Sequence, residues 1–458
     1  MTFAIYSALV FAASLVAAIR LKERVLYLIF LAAFTQNFVL AYLYTNGIAG
    51  KDLCRSLILF KEFLLLELFV YSVVLLYRHF RGRWPSPMLI LAFFTIYCAA
   101  RFAFGAAFLG DFTADGLRKL RMTCFPVQIL TVSMMVSWLY PEFSRRFVRQ
   151  MTCWLAVVAV IGIALFLFPQ ADFWKQHVDI ASYNLDVKGD DPATVIEDQG
   201  IPGTGAGREA FMFLSSFRAM GTFADPLAFG FGMAMPILLL VFYYPKNSLN
   251  ILMIVVSVVA IFFTFSRSSW IFVSISFVCI WLQRRRYDLV LTLAGLGVAA
   301  LVLWSPLAEF AASEYHDVSW TNPNGEHAQG IVWFYQRAFT DLGNVFGKGM
   351  DDSVQKIPEN GYAFLLEHFG LFAYASFIVF CFSLFFYLRK SSPEARLLMG
   401  ISQAVPICVL IVMHTSQYPF AFSEYLFIWF VVGTCIYPAV TKEGAPRKAG
   451  EKLAWTTS

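Results

Sequence analysis

Apolar runs long enough to cross a bilayer recur along almost the whole chain, and they leave few folds open to it. Spans fall near 3–19, 25–44, 56–77, 87–109, 122–140, 151–168, 221–244, 249–265, 268–283, 287–304, 361–388, 397–413 and 421–440. A spanning helix needs roughly 17–25 mostly apolar residues, because in lipid each backbone polar group must find its partner within the protein. The expected fold is therefore an all-α polytopic membrane protein with about 12–13 transmembrane helices. Residues 1–440 would form a single transmembrane domain and 441–458 a tail. Composition agrees, since 59% of the 458 residues are hydrophobic, 49 are Phe and only 14% are charged. A soluble domain has no way to bury that much apolar surface.

Segment 3–19 lacks a positive n-region and runs directly into Arg20, Lys22 and Arg24, which predicts a retained helix in place of a signal peptide. The cysteines lie mostly inside apolar runs without paired or metal-type spacing, so they read as small packing residues. The net charge of +5 is spread over many loops and argues for membrane orientation, not for nucleic-acid binding.

Lys and Arg bias fixes the expected orientation. One set of alternate loops is short and basic, with Arg78, Arg81 and Arg83, then Arg145, Arg146 and Arg149, then Arg284, Arg285 and Arg286. These loops and the tail are expected in the cytoplasm. The other set carries most of the acidic residues and both long loops, about 169–220 and 305–358, and is expected outside. This puts the N-terminus outside and the C-terminus inside. An even span count with both ends inside is the alternative, because 3–19 is short. Within the second long loop, 328–346 has helical apolar spacing and is predicted to lie along the membrane surface.

Two stretches, FRAMGTFADP around Arg218 and TFSRSSW around Arg267, set an arginine where an apolar segment meets the outer face. A third, PENGY at 358–362, sets Glu359 there as well. Two fixed cations and a carboxylate at one surface suit an anionic, lipid-linked substrate, since guanidinium groups bind diphosphate oxygens through paired hydrogen bonds. Arg267 lies in a tight turn, and a helix starting at Ser268 would aim its N-terminal amides at an anion there. Arg218 at a helix entrance also suits snorkelling to lipid phosphate. Glu359 reads either as a first-turn acid or as a general base, although nearby arginines would lower its pKa and weaken it as a base.

His327 in the outer loop is the second candidate base. Tyr362, Trp320, Trp333 and Tyr335 are candidates for stacking on sugars, with interface anchoring as the alternative. Arg337 and Asn360 join the candidate substrate-binding set. Lys61, Glu62, Glu67, Arg101, Glu367, His368 and Glu424 fall within or at the edges of spans, where structural ion pairs are favoured over catalysis.

RAMGTFADPLAFG at 218–230, TFSRSSWIF at 264–272, FGKGM at 346–350 and ENGYAFLLEHFGLFAY at 359–374 together resemble the O-antigen polymerase and O-antigen ligase superfamily of bacterial membrane glycosyltransferases. The resemblance covers about 210–440, and the first 200 residues match only as a run of spans. It implies a helical bundle of the C-type glycosyltransferase class that works without metal or cofactor. The donor it implies is a glycan on undecaprenyl diphosphate, transferred at the periplasmic face of the inner membrane. Arg218 and Arg267 would hold the diphosphate, and Glu359 would act on the acceptor. Membrane lipids and a chain-length regulator are the other implied partners. Ligases typically carry a His-Asn pair where this chain has Glu359-Asn360, which favours polymerase over ligase. A lipid-linked oligosaccharide flippase is the reading from another class, but no internal repeat supports it and the polar residues of interest cluster at one surface.

Overall fold

The structure, a computed structural model, describes residues 2–80, 84–108, 112–167, 177–188, 219, 221–223, 225–264, 266–283, 343–349, 360–389, 396–414 and 418–444. Every regular element among them is helical. The longer helices are α1 (Thr2–Leu21), α2 (Val25–Thr45), α3 (Lys51–Ile58), α4 (Phe60–Phe80), α5 (Ser86–Phe108), α6 (Ala114–Leu139) and α7 (Pro141–Leu167). They continue with α8 (Pro226–Phe242), α9 (Ser248–Thr264), α10 (Arg267–Gln283), α11 (Gly361–Phe369), α12 (Leu371–Arg389), α13 (Arg396–Val412) and α14 (Phe422–Gly444). Among the described residues, five helical stretches are long and apolar enough to cross a membrane, the first of them Thr2–Thr45 with α1 and α2 together.

The outward faces of these helices are apolar, as lipid requires. Phe3, Leu9, Val16 and Ile19 on α1 are exposed, and so are Leu89, Phe93, Ile96 and Phe104 on α5. Helices α6 and α7 begin earlier than the apolar runs 122–140 and 151–168 predict. The residues so added hold Arg118, Lys119 and Arg121 in α6, and Arg145, Arg146 and Arg149 in α7. A helix continues past the hydrocarbon edge wherever its backbone bonds can, and hydropathy does not register that continuation. Segment 287–304 and the expected surface helix at 328–346 lie outside the described residues, apart from a single turn at Gly343–Phe346.

The chain forms two compact units. The first comprises Met1–Trp84, Gln128–Trp270 and Ala421–Arg447. Its core is aromatic: the Phe30 ring meets Phe34, Phe147, Phe427 and Phe430 edge-on, with centroids 4.9–6.1 Å apart. Such pairs contribute about 0.5–1.5 kcal/mol each beyond their area. Polar residues in this unit find local partners. Glu67 on α4 accepts from the Ser14 hydroxyl on α1 at 2.7 Å, and the Lys61 ammonium donates to Gln36 Oε1 on α2.

The second unit comprises Pro85–Val127, Ile271–Phe420 and Lys448–Ser458. Phe94 on α5, Phe377 on α12 and Phe420 pack together at its centre, with centroids 4.8–6.3 Å apart. The span predicted at 361–388 is divided here. Gly370 takes φ +89° and ψ 178°, a conformation essentially confined to glycine, so α11 ends at Phe369 and α12 starts afresh at Leu371.

Candidate functional site

In the first unit, the segment that follows Arg218 meets the segment that precedes Arg267. The Ala219 amide donates to the Phe263 carbonyl at 2.9 Å, near the end of α9. The next residues form a short turn, Gly221–Phe223, that is fixed to α2. There the Thr222 hydroxyl donates to Phe34 O at 2.9 Å, and Asn37 Nδ2 donates to Phe223 O at 3.2 Å. Asp225 then caps α8, its carboxylate accepting from the Leu227 and Ala228 amides at 2.7 and 3.1 Å, with Pro226 at the first helical position.

The turn before Arg267 is built by its serines. Ser266 Oγ accepts from the Ser269 amide at 3.3 Å and lies 2.8 Å from Ser269 Oγ, so Ser266 is the N-cap of α10. The helix therefore starts at Arg267, one residue before the predicted Ser268, and one of its N-terminal amides is already occupied. Gly230 of α8 faces these serines closely. A Cβ added there would come within 2.5 Å of Ser269 Oγ and 3.2 Å of Ser266 Cβ. The motif pieces at 218–230 and 264–272 thus form one packed unit, held by backbone bonds and by the absence of a side chain at 230.

The other two motif pieces pair in the second unit. The Lys348 amide donates to the Glu367 carbonyl at 2.6 Å, and His368 Nδ1 donates to the Gly349 carbonyl at 2.8 Å. Gly347, with φ +83°, lies against Gly370: a Cβ on Gly347 would sit 2.6 Å from His368 O, and a Cβ on Gly370 would sit 2.6 Å from Phe346 C. Arg101, buried on α5, closes the same turn by donating from Nε to Phe346 O at 2.7 Å and from Nη2 to Gly347 O at 3.0 Å. Both of these bonds run to backbone carbonyls.

Asn360 starts α11 as its N-cap, with Oδ1 accepting from the Tyr362 and Ala363 amides at 2.9 and 3.2 Å. The neighbouring Gly361 amide donates to the Met413 carbonyl at 2.8 Å, just past the end of α13. The Tyr362 hydroxyl donates to Leu410 O at 2.5 Å, and its ring meets Tyr374 at 5.5 Å and His414 at 4.8 Å between centroids. Burial pushes the His414 imidazole below its ordinary pKa. Sequence reading passes over His414, although a histidine that directly follows an apolar run is the signal that could have found it.

Of the predicted site residues, Asn360 and Tyr362 are seen together at the start of α11. Arg267 is the first residue of α10. Arg218, His327, Arg337 and Glu359 lie outside the described residues, as do Trp320, Trp333 and Tyr335.

The helices and their apolar outer faces define an all-α membrane protein. No family model matches the chain, and no curated protein matches it.

Proposed function

We propose that this protein is a polymerase of undecaprenyl-diphosphate-linked glycan repeat units, serving an O-antigen, capsule or exopolysaccharide at the periplasmic face of a bacterial inner membrane. The fold belonging to this reading is a C-type glycosyltransferase bundle of 12–13 helices, with 169–220 and 305–358 as periplasmic loops. The observation that carries it is the hydrogen bond from the Ala219 amide to Phe263 O, at 2.9 Å. It joins the chain beside Arg218 to the helix end just before Arg267, although the two bonded positions are 44 residues apart along the sequence.

Both arginines would grip the diphosphate through paired hydrogen bonds and offset the charge that grows on it as it departs. Lipid diphosphate is a good leaving group, so no general acid is required on it. The acceptor hydroxyl attacks the anomeric carbon from the opposite face, and one displacement inverts the configuration.

The test is reconstitution of the full chain in vesicles with purified undecaprenyl-diphosphate-linked repeat units. Longer lipid-linked chains are the expected product. Transfer only to lipid A-core would make the protein a ligase, and movement of donor between leaflets without transfer would make it a flippase. Arg218→Ala and Arg267→Ala are each expected to lower transfer about 10²–10³-fold, as removal of one charge-stabilising group typically does. Near-normal transfer in either variant refutes the diphosphate grip.

A further inference from the structure

We propose that the junction of α7 with the α8–α9 turn is a binding site for an anionic phospholipid, with the headgroup phosphate at Arg145 and Arg149 and an acyl chain along α9. The site lies wholly within the first unit and is independent of the glycan-transfer chemistry.

The site begins with a guanidinium held in place. Arg149 on α7 donates from Nη2 to Asn250 Oδ1 at 3.0 Å, and its Cζ lies 4.4 Å from the centre of the Tyr244 ring. Asn250 is fully buried and is itself fixed by the turn. Its Nδ2 donates to Pro245 O at 2.7 Å, and its backbone N–H donates to Asn247 Oδ1 at 2.8 Å. Stacking on the tyrosine and the bond to Asn250 set the guanidinium plane, and that bond uses one of its five N–H donors. Phosphate is the anion such a fork fits, because two parallel N–H donors match two of its oxygens.

Charge at this junction is one-sided. Residues 141–150 and 243–250 hold Arg145, Arg146, Arg149 and Lys246 against a single carboxylate, Glu142. That carboxylate is matched by Arg146 at 3.1 Å, with both side chains well exposed. Arg145 precedes Arg149 by one helical turn on the same face, and its charge reaches the Tyr243 phenol. Lys246 folds back to donate to Val241 O at 2.6 Å, which keeps its charge over the end of α8. The cations thus converge on the two tyrosines that follow α8.

The surface beside the arginines selects a lipid over a soluble anion. Leu249, Leu252 and Val255 of α9 are 58%, 58% and 52% exposed. They recur at every third residue, so they form an apolar stripe that leaves the turn and follows the helix. A phosphate on the guanidinium with a hydrocarbon chain beside it is the arrangement of a phospholipid. A zwitterionic headgroup brings an ammonium that Arg145 and Arg149 repel, whereas an anionic headgroup carries no such cost.

The experiment uses purified full-length protein in detergent, titrated with phosphatidylglycerol or with phosphatidylcholine, and reads bound lipid by native mass spectrometry. Wild type is expected to bind phosphatidylglycerol more tightly. One cation near the membrane surface favours an anionic lipid by about fivefold. Arg149→Gln and Arg145→Gln are each expected to lower the preference for phosphatidylglycerol by that factor, so the second serves if the first does not fold. Arg149→Lys keeps the charge and should lose less than either. Arg20→Gln removes a cation at the end of α1, outside the junction, and is expected to leave the preference nearly unchanged. Equal binding of the two lipids by wild type would overturn the proposal, as would an unchanged preference in both Gln variants at the junction. A loss in Arg20→Gln as large as in Arg149→Gln would also overturn it, because a diffuse field would then replace the site. Displacement of phosphatidylglycerol by inorganic phosphate at equal concentration would do the same, since the apolar stripe would contribute nothing.

Discussion

Removing the guanidinium of Arg101 offers the sharpest test of how the second unit is held. Its bonds to Phe346 O at 2.7 Å and Gly347 O at 3.0 Å are charge-assisted, and each such bond contributes about 1.5–3 kcal/mol. The lower end of that range applies. Phe346 is 67% exposed, which places this turn at the edge of the unit. Arg101→Met is therefore expected to cost about 3 kcal/mol, the sum of two bonds at the lower value. Arg101→Lys replaces the planar fork by a compact ammonium on a shorter reach, so it is expected to keep one of the two bonds and to cost about half as much. For a unit of this size, 1 kcal/mol corresponds to about 2–4 °C in melting temperature. The full-length protein in detergent, followed by tryptophan fluorescence, should melt about 6–12 °C lower with Met and about 3–6 °C lower with Lys. A Met variant within about 2 °C of wild type, or a Lys variant no better than Met, would refute the claim that these two bonds close the turn.

Two further changes probe the start and the end of α11. Gly370→Ala places a Cβ 2.6 Å from both Val345 O and Phe346 C, at a backbone conformation that costs about 1–3 kcal/mol for any other residue. The neighbours are backbone atoms and cannot swing aside, so a fall in melting temperature at least as large as that of Arg101→Met is expected. Asn360→Ala removes the cap on the Tyr362 and Ala363 amides and should lower stability by about 1 kcal/mol, whereas Asn360→Ser should recover most of it. The same melting assay checks both. His414 adds a pH dependence of its own. Its pKa is lower folded than unfolded, so its contribution to stability is complete above about pH 6.5 and is lost as pH falls below that value. His414→Phe should flatten this part of the stability profile.

The spans were legible because lipid imposes one rule on every residue of a crossing helix, and apolar runs report that rule locally. The caps are equally local, since Asp225 and Asn360 act on amides two or three residues away, but in sequence Asn360 reads as a substrate-binding residue and Glu359 takes the first-turn role. The break at Gly370 was not legible. The sequence 361–388 reads as one apolar run, and what divides it is the approach of residues 345–347 from a distant part of the chain. Arg101 shows the same limit, since two carbonyls it donates to lie 245 and 246 residues away and are backbone atoms whose side chains carry no sign of the contact.

This bears on what the four motif pieces mean. They meet two by two, 218–230 with 264–272 in the first unit and 346–350 with 359–374 in the second. In the second pair, Gly347, Asn360 and Gly370 are each accounted for by shape: two backbone conformations that exclude side chains and one helix cap. In the first pair, Gly230, Ser266 and Asp225 are likewise explained by close approach and capping. These roles are structural, and a protein with this fold would use glycines and capping residues at such positions whatever its chemistry. Arg218 and Glu359 lie outside the described residues and Arg267 is placed only as the first residue of α10, so the roles that the resemblance implies for them stand as proposals. The chemical content of the resemblance therefore rests on these three, and on whether their replacement stops glycosyl transfer while the helices around them still melt as wild type does.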